Sequence, residues 1–459
     1  MLYYDIELIT LLLEKGVSVH KRVDGLSPLE LACQDLTGLK STVAGYIFEL
    51  LLCHADNKLL DDINPTGDGE GLIHRLAMCE AQGAMFALLR KGANPNLLTG
   101  SGPRRSAMHI LIENNALDIA DMLLENGADP TLVDRYGYDA ALLAAFCGRV
   151  SFLHVLRSYR NDSWQIDWRR NAKYKMYGEY LGGFNALHLS AVNGHVDCLR
   201  FYTDSGLVTD LDSKGSELLT PMHLAAIENR VEVIEFLRDH GADVNSRAYD
   251  ETLPLHFAAM SSHHEAAKIL LESGSDLTSD ACGKTPLMYA YDRGNKSIIE
   301  CLRQAQKQDS PPMPPLLHKQ ELALGLEVAI KTANLDLCEE LYHEGCDLDT
   351  NMPNCNNTSP LILAIEYEVP KTVRWLLENR ACTTEYRWHK GNYTSAFREL
   401  IRRTKLNEIL PVFLKRYIND GGGVLNESPG WMEMAIKAHN HCGLRLLLKH
   451  LKKNAKHYG

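Results

Sequence analysis

Long apolar runs are missing from this chain. No stretch approaches the ~20 apolar residues of a membrane span. The N-terminal LITLLL is short and follows Asp5 and Glu7 with no basic residue, so it makes a poor secretory signal. Aromatic residues are sparse at 7% while Leu and Ala are frequent, which favours helix. A basic excess is also missing: the net charge of −11 argues against general affinity for nucleic acid. The 12 cysteines show no paired spacing. Most lie inside helical patterns, such as LACQD around Cys33 and DCLRF around Cys198, which suits reduced thiols in cytoplasm or nucleus.

Catalytic signatures are missing too. There is no G-x-S-x-G elbow and no H-E-x-x-H motif, and GSGPRR (Gly100 to Arg105) lacks the G-K-[ST] ending of a phosphate loop. Cys338, His343, Cys346 and Cys355 have a spacing that zinc tolerates. Cys338, however, falls in a helix core slot and Cys346 stands where related segments carry alanine, so no metal site is expected. The expectation is a non-enzymatic protein with no cofactor and no small-molecule substrate.

What is present is repetition. At 459 residues the chain is too long for one core, so several domains or a repeat array is required. TPMHLAAIENR (Thr220 to Arg230) reads as a helix start with Thr220 as cap and Pro221 in the first turn. Adjacent alanines let a neighbouring helix approach. VEVIEFLRDHG follows with apolar residues at helical spacing and Gly241 as a left-handed stop, and ADVNSRAYDE is turn-like. Such a helix–turn–helix–loop unit cannot bury its apolar side alone; stacked copies can. His223 is expected to hydrogen-bond across the inter-unit turn, a structural role.

TPMHLAA followed by GADVN resembles the ankyrin repeat, whose signature is T-P-L-H-x-A. The position of the signature His falls at Glu30, His74, His109, Leu142, His188, His223, His256, Met288, Glu327, Ile362, Arg398 and Glu433, mostly near the ~33-residue period. The resemblance runs from about Gly71 to Gln304, continues more weakly from Leu322 to Cys382, and from Thr394 rests on apolar spacing. It implies an all-α ankyrin-repeat solenoid of about twelve helix-turn-helix units with β-hairpin loops. Residues 1–305 are expected as an N-terminal stack, 306–320 as a Pro-rich linker or long inter-repeat loop, and 321–459 as degenerate repeats with a basic tail. The chain opens mid-repeat, with DIELITLLLEKG reading as a second helix, so further chain before Met1 is expected.

One insert, residues 157–184, interleaves Trp164, Trp168, Tyr174, Tyr177 and Tyr180 with six basic residues. It has three readings: folded against its own repeats, gripping a protein, or stacking on nucleic acid. From Ser395 on, 12 basic residues face 5 acidic ones; this tail is either a solvated cap or a contact for an acidic partner or membrane surface. The resemblance implies a curved stack that holds proteins on its concave face. Mapping the family's variable positions gives Arg135, Tyr136, Tyr138, Phe146, Glu228, Tyr249, Asp250, Met260, Lys284 and Arg293 as protein-binding candidates, to which the insert adds Trp164 and Trp168. Asn245 matches the position that can be hydroxylated in the family. The function expected is a monomeric protein-binding scaffold or adaptor of cytoplasm or nucleus. The alternatives are the targeting region of a larger enzyme or signalling protein, or contact with nucleic acid or acidic lipid through insert and tail.

Overall fold

The structure is a computed structural model and describes residues 6–19, 27–34, 41–54, 71–100, 102–159, 165–176, 178–208, 210–309, 315–352, 354–355, 358–383, 386–389, 392–419, 433 and 435–455. It divides into two compact units, Met1–Asp276 and Leu277–Gly459.

The first unit carries α1 (Ile6–Glu14), α2 (Pro28–Gln34), α3 (Ser41–Cys53), α4 (Leu72–Met78), α5 (Gln82–Arg90), α6 (Ala107–Asn114), α7 (Leu117–Glu125), α8 (Ala140–Cys147) and α9 (Val150–Ser158). A two-stranded hairpin of β1 (Ala172–Met176) and β2 (Glu179–Phe184) follows. Then come α10 (Ala186–Asn193), α11 (Val196–Asp204), α12 (Pro221–Ile227), α13 (Val231–Asp239), α14 (Pro254–Met260) and α15 (His264–Glu272). From α4 onward the first helices of successive pairs pack on one another, and so do the second helices. The first helices are short and nearly buried all round: in α12 every residue from Pro221 to Ile227 is buried. The second helices are amphipathic, with Val233, Ile234, Phe236 and Leu237 buried in α13.

The recurring histidine explains the register. In the Thr220–His223 pair the Thr220 backbone N–H donates to His223 Nδ1 at 3.1 Å. Nδ1 is therefore the acceptor, and the neutral ring carries its proton on Nε2, which reaches the Thr252 carbonyl of the next loop at 3.2 Å. The same bridge joins His74 to Leu97 at 2.9 Å, His109 to Tyr138 at 2.9 Å and His188 to Leu219 at 3.0 Å. A second ladder uses the loop Asn or Asp. Asn245 accepts from the Asp276 N–H at 2.8 Å and donates to the Gly274 carbonyl at 3.1 Å; Asn96 treats Asp129 and Gly127 the same way. Gly241, at φ +86°, occupies the left-handed stop expected of it. Each loop ends in a hairpin-like fingertip closed by one backbone bond, such as Asp134 N–H to Tyr138 O at 2.9 Å and Ala248 N–H to Thr252 O at 3.0 Å.

The second unit has α16 (Pro286–Arg293), α17 (Lys296–Asp309), α18 (Pro315–Lys331), α19 (Leu335–His343), α20 (Pro360–Glu366) and α21 (Pro370–Glu378). The hairpin β3 (Tyr386–His389) and β4 (Asn392–Ser395) comes next, then α22 (Ala396–Arg402), α23 (Leu410–Asn419) and α24 (His441–Ala455). Here α16, α18, α20 and α22 stack in sequence. The first pair, grouped with the N-terminal stack by sequence, packs against α18, so the division falls at Asp276/Leu277 rather than after residue 305. Residues 306–309 and 315–320 are helical, and the prolines between them lie outside the described residues. The segment from Thr394 continues as a helix pair whose Phe397, Phe413 and Tyr417 rings stack 5.3–6.0 Å apart. Cys338 and Cys346 are core residues whose thiols burial pushes up to about 12. No group of three or more metal-ligating side chains occurs among the described residues.

Candidate functional site

The insert replaces a fingertip, and it folds onto the repeats on either side of it. The cause begins at Leu142, which stands where the signature histidine belongs. Leucine cannot bridge to the next loop. The start of α8 is capped by Asp139 instead, whose Oδ1 accepts from the Leu142 N–H at 2.9 Å. The other carboxylate oxygen meets Arg170 of the insert, Nε to Oδ2, at 3.0 Å. Asp139 is fully buried in its side chain while Arg170 keeps 35% exposure, so one end of the ion pair is anchored in the core. Burial pushes the Asp139 carboxyl up to about 6; the Leu142 N–H and Arg170 pull it partly back.

This has a measurable consequence. A folded pKa of about 6 lies above the ordinary aspartate value of ~3.9. The group's stability contribution is therefore fully present below pH ~4 and is lost as pH rises through 6. Asp139→Asn keeps the cap and removes the charge. Its stability relative to wild type, read from urea unfolding, should improve by about 3 kcal/mol between pH 4 and pH 7. A difference that stays constant over that range would remove the buried charge from the account.

Aromatic packing seats the hairpin. Tyr136 at the fingertip stacks on Tyr180 of β2, centroids 4.8 Å apart and rings 14° from parallel. Phe146 lies 5.5 Å from Tyr138 and 6.2 Å from Tyr174. Tyr174 meets Phe184 at 6.3 Å, and Phe184 meets His188 at 5.4 Å. The Lys173 N–H donates to the Tyr136 carbonyl at 2.9 Å. On the far side Ser216 Oγ donates to the Gly182 carbonyl at 2.7 Å. Trp168 rests on the second helix of the next pair, 6.0 Å from Phe201 and 6.1 Å from Tyr202. Of the sequence's three readings of this insert, the one observed is folding against its own repeats.

The predicted binding residues fall into groups. Tyr136, Tyr138, Phe146 and Trp168 are brought together around the hairpin, with Tyr138 only 7% exposed. Trp164 lies outside the described residues. Arg135 is exposed beside them, its N–H donating to the Pro103 carbonyl at 2.7 Å. Glu228 is exposed at the end of α12, and Met260, partly buried, ends α14. Tyr249, 81% exposed, and Asp250 occupy another fingertip, where the Tyr249 N–H donates to the Glu217 carbonyl at 2.8 Å. Lys284 and Arg293 belong to the second unit, where Lys284 pairs with Asp292 at 2.7 Å. Asn245 is partly buried, with its amide committed to the loop ladder. Sequence reasoning missed the Asp139–Arg170 pair; its signal was an aspartate three residues before a leucine in the histidine slot.

The comparisons fit this architecture. The family model for ankyrin repeats in three copies matches residues 144–248 and 246–310, and that for ankyrin repeats in many copies matches 108–157. Residues 108–310 are ankyrin repeats. Ankyrin repeats make this segment a protein-interaction domain. The chain is 28% identical to the probable E3 ubiquitin-protein ligase XBOS32 of Oryza sativa subsp. japonica, over 33% of this chain and 34% of that protein. It is 31% identical to the putative E3 ubiquitin-protein ligase XBAT31 of Arabidopsis thaliana, over 32% of each. The solved ankyrin repeat domain of human ASB11 aligns with 53% of this chain and 100% of its own length, at 24% identity and a TM-score of 0.44. The chain thus spans about a third of the length of the curated relatives it matches. The expectation of a protein with no enzymatic role is corrected by these matches, since both named relatives bear the names of E3 ubiquitin-protein ligases, one probable and one putative. Missing catalytic motifs do not decide the matter, because an ankyrin stack carries recognition and chemistry need not sit in it.

Proposed function

We propose that the chain is the partner-recruiting ankyrin stack of a ubiquitin-ligase-type protein, holding the protein to be modified on its fingertips and first helices. The observation that carries this reading is the match to named ubiquitin-protein ligases, each over about a third of both chains. The surface chemistry supports it. Tyr249 presents a large ring at 81% exposure, the residue type that anchors protein interfaces. Its neighbour along the fingertips, Leu218, is 41% exposed and held at φ +58° directly after Glu217 at φ +57°. Two successive non-glycine residues in the left-handed region store strain that a free loop would relax.

The test uses the chain with and without Tyr136→Ala and Tyr249→Ala. Proteins captured by the wild-type chain should gain ubiquitin conjugates in cells that express it. The double variant should melt within about 3 °C of wild type, as expected for two changes outside the fully buried core, and should lose both capture and conjugation. Captured proteins that gain no conjugates would overturn the ligase reading.

A further inference from the structure

We propose that the fingertips of the first unit form a basic ridge that binds an extended acidic segment of the recruited protein. This rests on the recruitment reading above and names the chemistry of the partner. The tips are tied edge to edge: the Arg135 N–H donates to the Pro103 carbonyl at 2.7 Å, and the Lys173 N–H to the Tyr136 carbonyl at 2.9 Å. Backbones joined this way lie about 5 Å apart, as neighbouring strands do.

Each tip carries an exposed cation: Arg104 on the first, Arg135 on the second, Lys173 and Lys175 on the hairpin strand β1. None of the four has an ion-pair partner among the described residues, whereas the neighbouring cations are neutralised, Arg105 by Glu113 at 2.6 Å and Arg170 by Asp139. The Asp134 carboxylate of the second tip is turned to its own backbone, accepting from the Tyr136 and Tyr138 N–H groups at 2.8 and 2.9 Å. Arg104 is held at φ +55°, a left-handed conformation arginine rarely adopts. Lys175 lies 5.9 Å from the Tyr180 ring, which in turn stacks on Tyr136, so the charges stand beside an aromatic floor.

Uncompensated positive charge concentrated on one edge of a chain of net charge −11 selects an anionic partner. The ridge is short and bounded by acids, with Glu179 at the hairpin turn and Glu217 and Asp250 on the following tips, all exposed. A nucleic acid strand long enough to run past the four cations would meet those carboxylates. An extended peptide with acidic residues at alternate positions spaces its charges by about 7 Å and can stay within the ridge.

The experiment measures fluorescence anisotropy of a labelled peptide of alternating glutamate and serine with a central tyrosine, titrated with the full chain at low and raised salt. Wild type should bind, more weakly as salt rises. The variant Arg104→Glu/Arg135→Glu/Lys173→Glu/Lys175→Glu, checked by circular dichroism for an unchanged melt, should bind about 30-fold more weakly, as expected from losing several exposed charge contacts. A control with Lys268→Glu and Lys296→Glu, which reverses exposed cations on second helices, should stay within about twofold. Undiminished binding by the ridge variant overturns the proposal, and so does tighter binding of a single-stranded oligonucleotide of equal charge than of the peptide. Peptide binding without ubiquitin conjugation of captured proteins would sink the ligase reading and leave the ridge standing. Conjugation that survives the ridge variant would do the reverse.

Discussion

Lowering the pH from 6.5 to 4 should unfold the middle of the first unit. His188 and His223 are fully buried, each ring bonded at both nitrogens, and burial lowers each to about 4. A proton on Nδ1 would break the bond from the backbone N–H of Asn185 or Thr220 and leave a buried cation. The unfolded chain takes up the proton near pH 6.5, the folded one near pH 4. A depressed folded pKa makes a stability contribution that is present above the unfolded value and lost as pH falls through the folded one. Each histidine thus removes about 2 kcal/mol at pH 5 and about 3 kcal/mol by pH 4. His109 is lowered for the same reason and adds to the loss. The buried Asp139 acts in the opposite sense over much of this range and offsets one histidine at most. Because neighbouring repeats hold each other, losing two adjacent bridges opens the stack between them. Urea unfolding at pH 7 and pH 4.5, with imidazole proton shifts followed by NMR, checks this. Rings of His188 and His223 that titrate between pH 6 and 7 would refute it.

Phe184→Ala should cost about 3–5 kcal/mol and free the hairpin. Phe184 has no exposed surface and stands where the units bridged by His109, His188 and His223 place the accepting residue. With Leu142 in the histidine slot, ring packing has to do what the hydrogen bond does elsewhere. The fit is tight: a Cβ on Gly215 would come within 2.7 Å of the Phe184 ring, so the next fingertip closes on it only because that residue is glycine. Removing the ring should leave Lys173 and Lys175 open to trypsin, with cleavage in the hairpin far faster than in wild type and a lowered melting temperature. Unchanged cleavage would mean that Arg170 and Trp168 suffice to hold the insert.

Much of the stack was legible because its code is local. The cap, the histidine three residues later and the glycine stop lie within one unit, and the Thr220–His223 pair and Gly241 behave as the spacing requires. The insert was not legible. Alternating aromatic and basic residues suit a folded hairpin, a protein contact or a base-stacking surface equally, and the choice depends on Phe201 and Tyr202, more than thirty residues beyond Trp168. The division at Asp276 was hidden for a similar reason, because the pair α16–α17 carries the same repeat signature as its predecessors.

By itself the sequence determined the helix pairs, their period and the bridges between them, because each depends on residues within about one repeat and on backbone groups that must be satisfied. Only the tertiary structure decided that Asp139 is buried against Arg170, that Phe184 takes over from an absent histidine bridge, and that Arg104, Arg135, Lys173 and Lys175 share one edge. Those outcomes depend on which surfaces of distant segments exclude water together, and a one-dimensional pattern does not carry that information.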